Sequence, residues 1–412
     1  MVPIVSTDPD EIIDAIVMGG VQDPFPLYEQ LRELGNGLHR SSTLGGWIAT
    51  RAADVRASAS DHETYSNDMA AATGAGAHDP DDPRQRRFAE IQSKFLFFLD
   101  PPEHTAVRSV FRSAFTPQAV AAWRPAVEAI TDELLADFTP GDEVDFMERL
   151  AATVPVSVIA TILGVPKEDH PLFRSWSDAL TLATDPAVQG EARNRAIESS
   201  MELFDYLAEV AEDRRANPRD DLASTVVNTP TRDGEPLDRT MALAQTAVLL
   251  GAGNETTTNL LGNGITILLD RPELLRRLIE DPGAIPAAVE EFLRFDPPFH
   301  LDFRKASRDT ELAGTEIAGG SPVYHLIAAA NRDPRAFDDP STVDIDRADN
   351  RHLAFSHGIH FCVGAPLARL EGRVVLEKLL QRFPGIAPGS EAPVRRVTNI
   401  VARGWEKRPV RL

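Results

Sequence analysis

The feature that most constrains how this chain can fold is one long helical pattern, which runs from Arg239 to Leu269. Asp238 stands directly before it as a candidate N-cap, and Pro272 follows shortly after its end. At a rise of about 1.5 Å per residue, such a helix is roughly 45 Å long. A helix of that length can cross a whole domain, which favours a helix-rich architecture.

Shorter segments repeat the helical pattern, with apolar residues at spacings of three and four, at residues 131–138, 154–163, 193–213 and 274–280. Strand patterns are few and short, at residues 46–50, 315–317, 322–326 and 409–412. No linker rich in Pro, Gly or Ser separates two cores. We therefore expect a mostly α-helical fold with small peripheral β-sheets, forming a single domain over residues 1–412. Residues 66–84 are expected to form a long loop, since they are mostly small or turn-forming.

The charge balance excludes some classes of function. Lys and Arg number 42 against 63 Asp and Glu, which gives a net charge of −21. Strong acidity disfavours general binding to nucleic acid and adsorption to anionic lipid. The N-terminus lacks the basic start and apolar run of a signal peptide, and no stretch approaches 18 uncharged apolar residues. We expect a cytoplasmic monomer that binds neither nucleic acid nor membranes.

The chain contains one cysteine, Cys362. An intramolecular disulfide and a multi-cysteine zinc or iron–sulfur site are therefore excluded. Gly358 and Gly364 flank the cysteine and permit the close approach of a bulky, flat partner. A helical pattern with Pro366 in its first turn follows directly. Because free N–H groups and the helix dipole stabilise a thiolate at a helix N-terminus, we expect the thiol pKa to be lowered.

Three interpretations of Cys362 remain open from these residues alone. The first is a buried structural cysteine. The second is a zinc site with His357 and His360, which needs a fourth ligand and strains tetrahedral geometry on so short a loop. The third is an axial thiolate ligand to haem iron.

The middle of the long helical segment carries an unusual set of residues. Gly251 and Gly253 each cost about 1 kcal/mol relative to alanine inside a helix. Either a flat ligand against the backbone or a tight helix crossing would compensate for this cost. Glu255 and Thr256 place an acid beside an alcohol in an otherwise apolar stretch, and the Thr256 hydroxyl can bond back to the carbonyl of Ala252.

A third segment places Glu291 and Arg294 on one helix face among apolar neighbours. Such a pair is usually solvated and contributes little. The apolar neighbours here favour a buried structural pair.

Taken together and in this order, these segments resemble the cytochrome P450 family of haem-thiolate monooxygenases over nearly the whole chain. The most specific is the loop motif F-x-x-G-x-H-x-C-x-G, present as Phe355, Gly358, His360, Cys362 and Gly364. The chain departs from the family loop at Ser356, where the family usually has glycine.

Other segments extend the resemblance. Glu291 and Arg294 match the family's structural ion pair, to which Arg347 adds a third member. The residues Ala252, Gly253, Glu255 and Thr256 match the motif for oxygen activation, with Glu255 where some members carry Asp. Residues 100–108 and 329–334 are typical of soluble bacterial members.

The resemblance implies haem b (iron protoporphyrin IX) with Cys362 as its axial ligand. It implies haem propionates held by His104, Arg108, Arg304 and His352, and further haem contacts from the loop and helix motifs named above. Glu255 and Thr256 would supply protons for oxygen activation. The implied activity is insertion of one oxygen atom from O2 into a C–H bond of a small-to-medium apolar molecule.

The same resemblance suggests pocket residues and partners. The candidate substrate pocket comprises Phe95, Leu96, Val248, Gly251, His300, Leu301, Ile400 and Val401. Electrons would pass from NAD(P)H through a separate reductase and an iron–sulfur ferredoxin, docking on Arg112, Arg369 and Arg373. For Arg369, an ion pair with a nearby acid is the alternative. Alternative functions are a peroxide-using peroxygenase, against which Glu255 and Thr256 argue, and a non-catalytic haem-binding protein.

Overall fold

The computed structural model describes residues 6–18, 20–68, 81–184, 188–397 and 401–412. The predicted loop at 66–84 lies largely outside the described residues, since 69–80 are not among them. The described α-helices are α1 Pro9–Met18, α2 Phe25–Glu33, α3 Ala52–Ser60, α4 Pro83–Ser93, α5 Glu103–Ala114, α6 Pro117–Ala136, α7 Thr153–Ile162, α8 His170–Thr184, α9 Gly190–Ala216, α10 Leu222–Asn228, α11 Arg239–Leu269, α12 Pro272–Glu280, α13 Ile285–Phe295, α14 Ile327–Ala330 and α15 Ala365–Arg382.

The strands are short and form small sheets. They are β1 Leu38–Ser41, β2 Gly46–Ala49, β3 Tyr65–Ser66, β4 Glu143–Asp145, β5 Leu301–Ala306, β6 Thr310–Leu312, β7 Thr315–Ile317, β8 Pro322–Leu326, β9 Ala387–Pro388, β10 Val394–Arg395, β11 Trp405–Lys407 and β12 Pro409–Arg411. Five of them form a sheet in the order β1-β2-β8-β5-β3, in which only β2 and β8 are parallel. The prediction of a mostly α-helical fold with small sheets is confirmed.

Helix α11 matches the predicted bounds. The carboxylate of Asp238 accepts a hydrogen bond from the backbone N–H of Met241 at 2.8 Å, which satisfies one of the free donors of the first turn. Most of the helix is buried on all sides, as expected of an element inside a large core. Pro272 begins the next helix, α12, at a position that tolerates a missing N–H.

Helix α15 fixes the position of the cysteine relative to α11. It begins at Ala365, three residues after Cys362, and packs against α11 and α13. The packing is close at Gly372, where an added Cβ would lie 3.3 Å from Leu260 of α11 and 3.4 Å from Val289 of α13. Helix α15, which follows the cysteine directly, is therefore packed tightly against α11 and α13.

Strands β5 and β8 bring a second group of polar residues to the same region. Their antiparallel register pairs Asp302 with His325 and Arg304 with Val323. Because side chains alternate along a strand, Asp302 and Arg304 share one face of β5. None of the helices that the structure describes combines the length and the apolar character needed to span a bilayer.

Candidate active site

Residues 355–364, the cysteine loop, are held by a compact set of backbone hydrogen bonds. The N–H of Cys362 donates to the carbonyl of Phe355 at 2.9 Å, and the N–H of Phe361 donates to that of Gly358 at 3.2 Å. The N–H of Ala365 reaches the carbonyl of Cys362 at 3.4 Å. These bonds connect residues close in sequence, so the loop motif itself largely determines the shape around the sulfur.

Gly358 shows why the loop needs glycine. Its φ is +71°, in the left-handed region that disfavours side chains. A Cβ at this position would also lie 2.4 Å from the carbonyl oxygen of Ala59, at the end of α3. Both the conformation and the contact therefore exclude a larger residue.

The thiol of Cys362 departs from the expectation for its acidity. The residue is exposed, yet protein atoms crowd the sulfur closely enough that burial raises its pKa. Hydrogen bonds from the N–H groups of Gly364 and Ala365 and the charges of Arg108 and Arg369 oppose this effect without reversing it. The expected lowering of the pKa is therefore wrong for the protein alone.

Four side chains that can carry positive charge, the cation cluster, gather next to this loop: His104, Arg108, Arg304 and His360. The rings of His104 and His360 lie with centroids 4.3 Å apart, and Arg108 donates to the carbonyl of Phe361. Burial lowers the pKa of His104 to about 4 and that of His360 to about 3, with help from neighbouring positive charges. Both imidazoles are thus neutral near neutral pH.

The cation cluster fits the haem that the resemblance implies. The Nε2 atoms of His104 and His360 are buried and have no hydrogen-bond partner among the described residues. Such atoms are costly unless a polar group is supplied. Two carboxylates, as on haem, would accept hydrogen bonds from neutral imidazoles and from guanidinium groups. The donor set therefore suits a flat molecule with two propionates.

Asp302 also belongs to this region, which its sequence position did not indicate, and it connects Arg304 to Ser356 of the cysteine loop. Arg304 donates from Nη1 to both carboxylate oxygens of Asp302 at 3.0 Å. The hydroxyl of Ser356 donates to Asp302 at 3.0 Å and accepts from Arg304 Nη2 at 3.3 Å. Burial acts to raise the pKa of Asp302, but Arg304 and His325 hold it well below its usual value. The alternation D-x-R along a strand is the only sequence signal for this pair.

Helix α11 has an accessible stripe in its middle. Leu249, Ala252, Gly253 and Thr256, which are spaced three and four apart, are partly or fully accessible, whereas the flanking turns are largely buried. The hydroxyl of Thr256 donates to the carbonyl of Ala252 at 2.8 Å, as its sequence position suggested. The stripe consists mainly of small residues, which leaves room beside the helix.

The acid next to Thr256 has a partner that the sequence did not reveal. Glu255 accepts a hydrogen bond from Arg396 Nη1 at 2.7 Å, and the side chains are 17% and 31% exposed. Arg396 follows β10 and lies 141 positions away in the chain. Nothing local to either residue predicts this contact, because it depends on how a distant strand segment packs against α11.

The structure corrects the prediction for His352. Its Nε2 lies 3.3 Å from Glu290, and its Nδ1 accepts from the N–H of Ala354 at 3.2 Å. Both ring nitrogens are therefore engaged, and His352 is not available to a propionate.

Arg369 follows the alternative that the sequence left open, because it forms a two-bond ion pair with Glu290 at 2.7 and 2.8 Å. Arg373 also lies 4.0 Å from Glu290. One acid therefore offsets the charge of two of the three predicted docking residues. Arg112 is exposed in the last turn of α5, where a cation also favours the helix dipole.

The structural ion network comes together as a buried unit. Glu291 and Arg294 are fully buried and joined at 2.6 and 2.8 Å. The Nε of Arg347 lies 3.4 Å from Glu291. Arg294 also donates to the carbonyls of Asn331, Pro340 and Thr342. These contacts fasten α13 to the segment that leads into the cysteine loop.

The predicted substrate-pocket residues separate into different environments. Phe95 and Val248 are buried in the main core, and Leu96 and Gly251 are partly accessible. One prediction needs correction, because His300 is fully buried between Tyr28 and Asp296, at 3.0 and 3.3 Å. Leu301 packs in a separate apolar cluster with α1 and α2. Val401 packs against that same cluster, while Ile400 lies outside the described residues.

Comparison with known proteins gives a consistent result. The family model described as Cytochrome P450 matches residues 60–283 and 284–402. The erythromycin C-12 hydroxylase of Saccharopolyspora erythraea is 39% identical over 342 residues, 82% of each chain. The vitamin D(3) 25-hydroxylase of Pseudonocardia autotrophica is 36% identical over 394 residues, 94% of each chain. A solved structure of a Bacillus megaterium enzyme in complex with testosterone has a TM-score of 0.82 at 30% identity, covering 94% of this chain and 99% of that one.

Proposed function

The chain belongs to the cytochrome P450 family of monooxygenases, and from this premise we propose that it is a haem-thiolate hydroxylase of bulky, largely apolar organic molecules. The observation that carries the proposal is the position of Cys362, in a tightly held loop beside the cation cluster. A solitary structural cysteine would not need buried imidazole and guanidinium donors around it.

The residues that would hold the haem come from four parts of the chain. Cys362 would bind the iron, while His104 and Arg108 of α5, Arg304 of β5 and His360 of the loop would bind the propionates. The glycine and alanine of the accessible α11 stripe would let the flat ring approach the helix. When bound, the haem supplies the activation of O2 that the protein's own side chains cannot perform.

Glu255 and Thr256 are proposed to handle protons. The Thr256 hydroxyl, held by the Ala252 carbonyl, can keep a water molecule in place on the accessible face of α11. Glu255 can pass a proton from the protein surface to that water once its carboxylate releases Arg396 and turns to the water.

The substrate is proposed to be a polycyclic or macrocyclic molecule, at the larger end of the size range expected from the sequence. Two relatives are named for erythromycin and vitamin D(3), and a third was solved with testosterone. The small side chains along the α11 stripe are compatible with such bulk.

Electrons are proposed to come from a separate iron–sulfur ferredoxin and its NAD(P)H-dependent reductase. The docking contact would centre on Arg112, since Arg369 and Arg373 share Glu290 as a counter-ion. A local basic site can attract an acidic partner even on a protein of charge −21.

Titration of the purified haem protein with candidate substrates tests this proposal. Testosterone and an erythromycin-type macrolide should each convert the low-spin haem spectrum towards high spin, because an apolar molecule displaces water from the iron. Butanol serves as a small control and should not. A protein that binds haem but responds to neither large probe would refute the substrate class, and a protein that binds no haem would refute the function.

A further inference from the structure

Ser356 occupies a strained position in the cysteine loop. Its φ is +59°, in the left-handed region where glycine is tolerated and other residues are disfavoured. The family loop usually has glycine here, and the backbone bond of this position, from its N–H to the carbonyl of Leu353 at 2.8 Å, would be available to glycine as well. Any benefit that offsets the strain must therefore come from the hydroxyl.

The hydroxyl closes a three-residue ring between the loop and β5. It donates to Asp302 Oδ2 at 3.0 Å and accepts from Arg304 Nη2 at 3.3 Å, while Arg304 Nη1 donates to both oxygens of Asp302. Arg304 Nη1 also donates to the carbonyl of Phe303 at 2.6 Å. The Nη1 hydrogens are thus both used within the protein. One Nη2 hydrogen points towards Ser356, and the other remains available to a further acceptor.

The ring borders the cation cluster. The charges of Arg304 and Asp302 both act on His360, two residues before the cysteine. Arg304 is only 1% exposed, so the surrounding protein restricts the orientation of its guanidinium. The Ser356 hydroxyl is the one contact of the ring that comes from the cysteine loop.

We propose that Ser356 is a positioning residue whose hydroxyl joins the cysteine loop to Asp302 and Arg304, and thereby aims the Arg304 guanidinium at a haem carboxylate. This inference rests on the proposed haem binding. It assigns a use to the residue by which this loop differs from the family pattern.

Two substitutions separate the hydroxyl from the backbone strain. Ser356→Ala and Ser356→Gly both remove the hydroxyl, but only Ser356→Gly relieves the positive φ. We expect both variants to release haem to excess apomyoglobin roughly three- to tenfold faster than the wild type, the range of one ordinary hydrogen bond. Both should also have a more negative reduction potential, because a loosely aimed guanidinium stabilises the additional electron of reduced haem less well.

Two controls isolate the mechanism. Ala313→Gly relieves another positive φ, of +52°, in the turn between β6 and β7, and should leave haem release unchanged. In an Arg304→Lys background, which keeps the charge but loses the planar fork, Ser356→Ala should add little further effect. Additive effects would contradict an action through Arg304.

The outcomes distinguish this inference from the function on which it rests. A wild-type protein without haem would refute the proposed function itself. A wild-type protein with haem, together with a Ser356→Gly variant that retains haem and potential unchanged, would leave the function standing and overturn the role of Ser356. Faster haem release from Ser356→Gly, despite its relieved backbone, is the result we expect.

Discussion

The cysteine loop and the middle of α11 are both proposed to border the haem, and they are held by contacts of different range. The loop is shaped by backbone bonds between residues at most seven positions apart, such as Cys362 to Phe355. Glu255 of α11 is held by Arg396, which lies 141 positions further along the chain. A motif can therefore specify the first region almost alone, whereas the second depends on the completed fold.

Substitution of Gly358 tests the cysteine loop, the region shaped by local contacts, and should have the largest effect on stability. Gly358→Ala combines a positive φ with a clash against Ala59, and we expect a loss of about 3 kcal/mol in the free energy of unfolding. Haem content should fall with it. Urea unfolding and absorbance of the purified protein measure both.

Gly320 provides the matched control, since it has φ +86° but no atom within 4 Å of the point that a Cβ would occupy. Gly320→Ala should cost about 1 kcal/mol and leave haem content unchanged. Equal losses in the two variants would show that the close approach to Ala59 does not matter.

Substitutions in the middle of α11 test the region that depends on contacts between residues far apart in the sequence. Glu255→Gln should slow substrate-dependent turnover by about a hundredfold, because proton supply is lost. Thr256→Ala should instead uncouple the enzyme, so that NAD(P)H consumption continues while product falls and hydrogen peroxide rises. Product and peroxide yields per NAD(P)H distinguish the two.

Thr246→Ala is the control in the same helix, because Thr246 makes the same type of bond, to the Ala242 carbonyl at 2.9 Å. Its coupling should match that of the wild type. If Thr256→Ala also remains fully coupled, the hydroxyl has only a structural role.

Much of both regions could be predicted from the sequence, for reasons that these residues illustrate. Capping and periodicity gave α11 its bounds, and the loop motif placed Cys362 directly before α15. The partners of His352, Arg369 and Glu255 could not be predicted, since each pairs with a residue at least 62 positions away. His300 was misassigned because its position just before β5 does not reveal that Tyr28, 272 positions away, holds its ring in the core.

Glu290 binds His352 and Arg369, which stand on either side of the cysteine loop in the sequence. Its contribution to the free energy of unfolding should depend on pH. Burial acts to raise its pKa, but these two partners lower it from 4.5 to about 2. Its ionised form therefore stabilises the fold above about pH 4.5, and this stabilisation disappears as the pH falls towards 2. Glu290→Gln should lower the free energy of unfolding by about 2 kcal/mol near pH 7, with the difference shrinking below pH 4.5.

An exposed ion pair serves as the control for Glu290. Glu198 pairs with Arg84, and both side chains are 62% exposed, so Glu198→Gln should cost less than about 0.5 kcal/mol at any pH. A difference for Glu290→Gln that stays constant with pH would contradict its role as an ionised partner.

The smallest effect is expected at the docking surface. Arg112→Glu should slow electron transfer from a ferredoxin several-fold at low salt, with a weaker effect as salt rises. Arg373→Glu should have less effect, because Glu290 already offsets its charge. Peroxide-driven product formation should be spared. Arg86→Glu on α4 makes the same charge change at another exposed position, and an equal slowing there would exclude a specific contact at Arg112.

The central claim is that Cys362 binds haem iron as a thiolate, and the spectrum of the reduced protein under carbon monoxide tests it most directly. We predict the strongly red-shifted Soret band of thiolate ligation in the wild type and its loss in Cys362→Ala. Retention of that band in Cys362→Ala, or its absence from a haem-loaded wild-type protein, would contradict the account.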